Sequence, residues 1–474
     1  MAAAGARCPW SQELRGSMSA PAGALRRTAL RGGGGGARRA AAVRLRAAQQ
    51  NELAPSWVPP PHSGYHFDGS GRRFFEGWYW KVTIPENGQS FALIYSVEDP
   101  GDSRSGVRGV GVQVMGADDG YICQFSKDTS AFWGARNSLE LGACLRPAPA
   151  APPGAAPRRM VSAAEFDSAV ECGFQASATW QQGSIVAAES GAAGAPMSTV
   201  QNCSWQLRMN PVTGWGEPGG GGGGAGSGKA TAGWLSVLSV FEPHWQVLMS
   251  HGTADGWIQW GGELFEVKGA PAYAEKNWGG GFPSKWIWVQ CNTFDGMPGL
   301  SVTAVGARRG LLGVPGLEED VGMVGVHLPG GRFLELTPWS GDVEWSADAW
   351  GRWRLRAAGG GYEALVEATC APGAGAVLRA PTATSGLAPH CKDTFFGTCR
   401  LRVWQVDSAG RRSASPLVDA TSTTAALEVG GGPWWGAWSA KADMKEPFRS
   451  LVQLPIDVGA LAQAAPPILR PPGL

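Results

Sequence analysis

From about residue 72 onward, apolar and polar residues alternate in short runs separated by Gly-Gly and Asp-Gly turns. Period two marks a strand with one wet face. In one such run Trp353, Leu355 and Ala357 fall on one side and Arg352, Arg354 and Arg356 on the other. The pattern predicts strands over 74–84, 90–97, 107–115, 121–125, 138–145, 205–209, 243–250, 256–260 and 264–268. It continues with 285–294, 300–307, 322–328, 332–337, 352–357, 362–369, 399–406 and 425–429. Turn signals at about ten-residue spacing predict an all-β sandwich or barrel. Only Ala163–Phe174 and Glu446–Ala462 read as helical, and Pro455 breaks the second. That last segment packs on the body or lies on a membrane surface. Ala/Gly/Pro-rich inserts interrupt the first half at 147–157, 187–196 and 219–228 and read as surface loops.

Charge separates the beginning of the chain from the rest. Residues 1–50 contain nine Arg, no Lys and a single acid, Glu13, hence +8. The whole chain is +1, so the remainder is −7 and mildly acidic. Such a body is a poor polyanion binder, which argues against nucleic acid. The leader's Ala, Arg, Gly and Ser composition reads as an organellar transit peptide. The nine cysteines form no CxxC pair and predict single buried thiols. No apolar run reaches the roughly 20 residues that span a bilayer.

The candidate chemistry lies in carboxylates among aromatic rings. Arg73-Phe74-Phe75-Glu76-Gly77-Trp78-Tyr79-Trp80 packs five rings around Glu76. A second cluster, Tyr273-Ala274-Glu275-Lys276-Asn277-Trp278, precedes Trp286 and Trp288. The two clusters suggest two related halves around a water-poor cavity. Glu242 and Asp128 also lie near Trp or His. A carboxyl among indoles loses hydration, its pKa rises, and it can serve as a general acid. The same residues could instead pair with Arg73, Lys81 or Lys276 and stabilise strands. Other sites are less well supported. Gly223–Lys229 lacks the Ser or Thr of a phosphate loop, since Ala230 follows. His62 and His66 have helical ligand spacing in a segment that Pro and Gly keep from being helical, so they read as structural histidines rather than metal ligands. No GxSxG elbow or dinucleotide fingerprint is present. No cofactor is expected.

Several long motifs resemble plastid tocopherol cyclases. They are Pro61-His62-Ser63-Gly64-Tyr65-His66-Phe67-Asp68-Gly69-Ser70, Arg72–Tyr79, Ala274–Pro283, Phe132-Trp133-Gly134, Phe241–Gln246, Leu378–Thr382, Gly430–Trp434 and Pro471–Leu474. The likeness covers nearly everything from about residue 60. More distantly, the Tyr-x-Glu-x-x-Trp-Gly…Trp-x-Trp pattern at 273–288 is similar to that of bacterial carotenoid 1,2-hydratases. The resemblance implies two consecutive lipocalin-like antiparallel β-domains with few short helices, at 60–269 and 270–445. A transit peptide at 1–50 would precede them, and an amphipathic segment at 446–474 would follow. The cyclase resemblance implies chromanol ring closure on a prenylated benzoquinol; the hydratase likeness favours Glu275 as proton donor, and Glu76 and His244 are candidates for base or orienting group. Trp78, Tyr79, Trp278, Trp286, Trp288 and Asn277 would contact substrate, about half of the rings pointing elsewhere because strands alternate. The cyclase resemblance also implies work in the plastid, at plastoglobules, in peripheral contact with lipid. A lipid carrier of the same fold and a prenyl-chain hydratase are the rival readings.

Overall fold

The computed structural model describes residues 57–474 except 58, 103, 153, 188–197, 218–227, 239–240, 311–315, 433–435 and 467–468. The expected leader, and nearly all of the inserts at 187–196 and 219–228, lie outside the described residues.

Eleven strands form the first sheet: β1 (Phe75–Ile84), β2 (Gln89–Glu98), β3 (Gly109–Gly116), β4 (Gly120–Ser126), β5 (Phe132–Gly134), β6 (Glu140–Pro147), β7 (Val170–Ser177), β8 (Trp180–Val186), β9 (Asn202–Thr213), β10 (His244–Trp260) and β11 (Glu263–Gly279). Eleven more form the second: β12 (Lys285–Cys291), β13 (Ser301–Gly310), β14 (Glu318–His327), β15 (Phe333–Leu336), β16 (Gly341–Ala347), β17 (Arg352–Gly359), β18 (Tyr362–Thr369), β19 (Ala376–Thr382), β20 (Gly386–Gln405), β21 (Val418–Gly430) and β22 (Trp438–Ala442). Among the described residues all ladders are antiparallel, in keeping with the expected all-β antiparallel fold.

The two sheets repeat one connectivity. Strands β1–β4 run as a meander, β5–β11 run back, and β11 closes on β1. In the second sheet β12–β15 run out and the return ends with β21 closing on β12. The chain changes sheets between Gly279 and Lys285. The expected division at 269–270 falls inside β11. The two aromatic clusters are therefore not equivalent parts of two halves. Residues 75–80 and 274–279 pair with each other, Tyr79 opposite Glu275 and Gly77 opposite Asn277.

Each sheet encloses its own apolar core. Trp78, Trp80, Phe91, Tyr95 and Trp205 belong to the first, and Val289, Trp345, Trp353 and Leu401 to the second. A third cluster draws on both sheets and includes Trp215, Tyr273, Trp286 and Trp288. This explains why β1 has no wet face: nearly every one of its residues is at least half-buried, Lys81 and Glu76 included. Strands covered on both faces lose the polar half of their alternation.

The helices are short. The first, α1 (Ala163–Ala169), is capped by Ser162 and gives way to β7 at Val170, five residues before the expected end at Phe174. The C-terminal segment makes α2 (Phe448–Val452) and α3 (Val458–Ala464), with Pro455 between them as expected.

Candidate active site

A cavity of about 510 Å³ lies between the sheets, lined by residues of both. That volume is in the range of small-molecule sites. Its aromatic wall includes Tyr79, Trp245, Phe282, Trp286 and Trp288. Two equivalent strand pairs, β1–β11 and β12–β21, supply its chemistry.

On β11 the alternation sends Tyr273 and Glu275 to the shared cluster and the cavity, and Ala272 and Ala274 to the first core. Three donors converge on Glu275 Oε2: the Tyr273 hydroxyl at 2.6 Å, Trp245 Nε1 at 2.9 Å and Trp288 Nε1 at 3.2 Å. These donors fill the acceptor capacity of Oε2, so a neutral Glu275 carries its proton on Oε1. No described residue donates to Oε1. Burial pushes the carboxyl up to about 7, while the three hydrogen bonds pull the other way. Near neutral pH much of the population is therefore a carboxylic acid facing an apolar hollow.

Glu428 on β21 occupies the corresponding place in the second sheet. It stands opposite Trp288 and accepts a hydrogen bond from Trp286 Nε1. The Trp286 indole lies over Gly430, where an added Cβ would come within 2.0 Å of the ring. Any larger residue there would displace the donor. Burial raises the Glu428 carboxyl to about 7, Trp286 opposes this, and the nearby Glu275 charge adds to it. Asp393 on β20 sits directly opposite Glu428 in the ladder and also lines the cavity. Burial and the charges of Glu428 and Asp119 hold its carboxyl well above the usual range, with Lys81 opposing. Lys81 is fully buried, and burial lowers its ammonium to about 8.

The other expected site residues scatter as strand alternation dictates. Asn277, Tyr79, Trp286, Trp288 and His244 line the cavity. Trp78 borders it, but its ring packs into the first core 5.9 Å from Phe132. Trp278 turns away and stacks on His66 at 3.9 Å. Glu76 is on the wrong face of β1. It is buried in an ion pair with Lys276 and accepts from His66 N at 2.8 Å. Burial lifts its carboxyl and Lys276 opposes that rise, so the strand-pairing alternative describes Glu76. His244 is pushed down to about 3 by burial and by the Arg309 and Arg72 charges, which makes it a weak proton acceptor. Glu242 pairs with Arg72 at 2.7 Å, and Asp128 caps a surface turn by accepting from Ser130 N.

Sequence reasoning missed Glu428 and Asp393, and named Lys81 and Tyr273 without giving either a place in the site. The predicted strands leave out residues 386–398, whose polar residues break the alternation, yet these form the first half of β20. The available signal was an isolated acid in an apolar strand, Leu427-Glu428-Val429; Asp393, between Lys392 and Thr394, carried none.

His62 and His66 hydrogen-bond to each other at 3.2 Å, and Ser236 meets His62 at 2.8 Å. Among the described residues no group of three or more His, Cys, Asp or Glu is arranged to hold a metal ion. The eight described cysteines are unpaired.

The chain is 43% identical to "Tocopherol cyclase, chloroplastic" of Zea mays over 87% of its length and 86% of the relative's. It is equally similar, over 87% of both chains, to the Oryza sativa subsp. japonica protein named "Probable tocopherol cyclase, chloroplastic". Among solved structures CghA is a looser likeness, with a TM-score of 0.43 and 10% identity over 80% of this chain and 95% of its own. Residues 72–431 match the family described as tocopherol cyclase-like, and the chain belongs to that family.

Proposed function

We propose that the protein is a tocopherol cyclase of the chloroplast. It closes the chromanol ring of γ- and δ-tocopherol on dimethyl- and methyl-phytylbenzoquinol. The observation that carries this reading is the Glu275 carboxyl, held partly protonated near neutral pH beside an aromatic hollow with Oε1 free to deliver a proton.

Glu275 Oε1 gives its proton to the less substituted carbon of the trisubstituted prenyl alkene, and the tertiary cation forms at the branched carbon. The indole faces of Trp286 and Trp288 stabilise that charge electrostatically. The ring oxygen ortho to the prenyl chain attacks the cation. Its proton passes to Glu428, which takes the base role expected of Glu76 or His244. The C–O bond forms, a C–H bond replaces the alkene, and no electron leaves the substrate. One proton has moved from Glu275 to Glu428, and its return resets the pair. Proton transfer by a placed group contributes about 10²–10⁴ in rate. The greasy walls also keep out water, which would capture the cation as a tertiary alcohol.

The substrate is a membrane lipid. Phe448, Leu451, Leu454, Ile456 and Leu461 on and between α2 and α3 are exposed, and Phe448 and Val452 line one end of the cavity. This apolar surface rests on plastid lipid and admits the prenyl chain, with plastoglobules as the place of work.

Turnover in D2O tests the reading. A cyclase places one deuterium on the new ring carbon next to the oxygen-bearing carbon. Unchanged quinol would identify a carrier, and a tertiary alcohol a hydratase.

A further inference from the structure

Asp393 and Tyr79 set buried polar atoms against the cavity and take no part in the proton transfers. Asp393 is fully buried; its carboxyl interacts with the backbone N–H of its neighbour Thr394, and no side chain completes a hydrogen bond to either oxygen. The Tyr79 hydroxyl is buried and unpartnered. Both residues line the cavity. Buried polar atoms are nearly always satisfied, so each orphan calls for a partner of its own. Tyr79 stands opposite Glu275 in the β1–β11 ladder, and burial together with the Asp393, Glu275 and Glu428 charges pushes its phenol well above the usual range. Lys81, two residues along the same face of β1, attracts Asp393, but no hydrogen bond joins them. The orphans are therefore not consumed by one another.

We propose that Asp393 and the Tyr79 hydroxyl form a subsite that hydrogen-bonds the second ring hydroxyl of the substrate, the one para to the reacting oxygen. The inference rests on the cyclase reading and extends it. Asp393 stands directly across the ladder from Glu428. Neighbouring strands lie about 4.8 Å apart, a spacing comparable to that between the two oxygens of one para-dihydroxy ring. A ring whose reacting oxygen meets Glu428 then brings its far oxygen to Asp393. In either protonation state Asp393 offers at least one acceptor oxygen, and Tyr79 can donate or accept. The contact fixes the ring in its plane and so chooses which alkene face the near oxygen attacks.

The test compares the quinol with its monomethyl ether at the para hydroxyl, which keeps the reacting oxygen and cannot donate at the far one. With the wild-type protein the ether raises KM about tenfold while kcat changes less. Asp393→Ala raises KM for the free quinol to a similar degree and shows no further penalty with the ether. Asp393→Asn, which keeps an acceptor, restores part of the loss. If Asp393→Ala does not fold, Tyr79→Phe is measured in the same comparison and shows a reduced ether penalty. Equal handling of quinol and ether by the wild type overturns the subsite, as does an undiminished ether penalty in the variants. A wild-type protein inert towards the free quinol contradicts the cyclase reading itself, an outcome separate from failure of the subsite alone.

Discussion

Asp393 and Glu428 face each other across the β20–β21 ladder, carboxyl beside carboxyl, in a cavity walled by indoles. Same-face neighbours in a ladder have Cβ atoms about 5 Å apart, and like charges there repel. With Glu275 near enough to raise Glu428, this corner holds its carboxyls partly protonated at neutral pH. A protein that must protonate an alkene needs such a reservoir, and burial together with neighbouring carboxylates supplies it.

In the proposed mechanism Glu275 acts protonated and Glu428 ionised, and burial raises both to about 7. The competent form is the pair with one proton, so kcat/KM should trace a bell centred near pH 7. Rates at pH 5 and pH 9 should fall at least tenfold from the maximum. A flat profile between these limits would contradict the pairing.

The same shifts oppose stability at alkaline pH. The folded pKa of each carboxyl lies above its unfolded value near 4.5, so the folded protein binds more protons between about pH 4.5 and 7. Stability is therefore full below about 4.5 and falls as pH rises through 7. Glu275→Gln and Glu428→Gln lose no proton in this window. Each should melt above the wild type at pH 8, by an amount on the order of 3 kcal/mol, and show little gain at pH 5. Denaturant unfolding at the two pH values measures this.

The Glu76–Lys276 pair is structural. Both side chains are fully buried, and Lys276 Nζ also donates to Gly64 O at 2.6 Å. Removing one partner strands the other charge, at a cost of about 3–5 kcal/mol. Glu76→Ala should lower Tm by on the order of 10 °C. The fraction that remains folded should keep kcat within about threefold of wild type, well inside the 10²–10⁴ that a lost proton-transfer group would remove.

Leu461 and Leu469 are 63% and 71% exposed and do not line the cavity. Leu461→Ser with Leu469→Ser should reduce co-flotation with lipid vesicles and turnover of vesicle-borne quinol several-fold. Turnover of detergent-dispersed quinol should be unchanged. Equal losses in both assays would place these leucines in folding instead.

The sequence exposes one half of the site and conceals the other. Glu275 is legible because Tyr273, Trp278, Trp286 and Trp288 surround it in the chain, and three of the four rings pack in the shared cluster between the sheets. Glu428 and Asp393 are not, because their aromatic surroundings come from β12 and β1, more than a hundred residues away. Strand period also misleads at β1 and β11. Both faces of β1 and of the second half of β11 are covered, so nothing local marks which side meets the ligand. Glu76 shows the consequence: it sits three residues from Tyr79 and on the opposite face. The repeat of the two sheets is a repeat of connectivity, and it aligns Glu275 with Glu428 rather than with Glu76.

The most direct measurement is single-turnover cyclisation of the phytylquinol by Glu275→Gln at pH 7, alongside the wild type. Gln keeps an acceptor for Tyr273, Trp245 and Trp288, so the cavity persists while the transferable proton is gone. The chemical step should slow by about 10²–10⁴, with substrate binding little changed. Turnover within a few-fold of the wild type would show that the proton comes from another group.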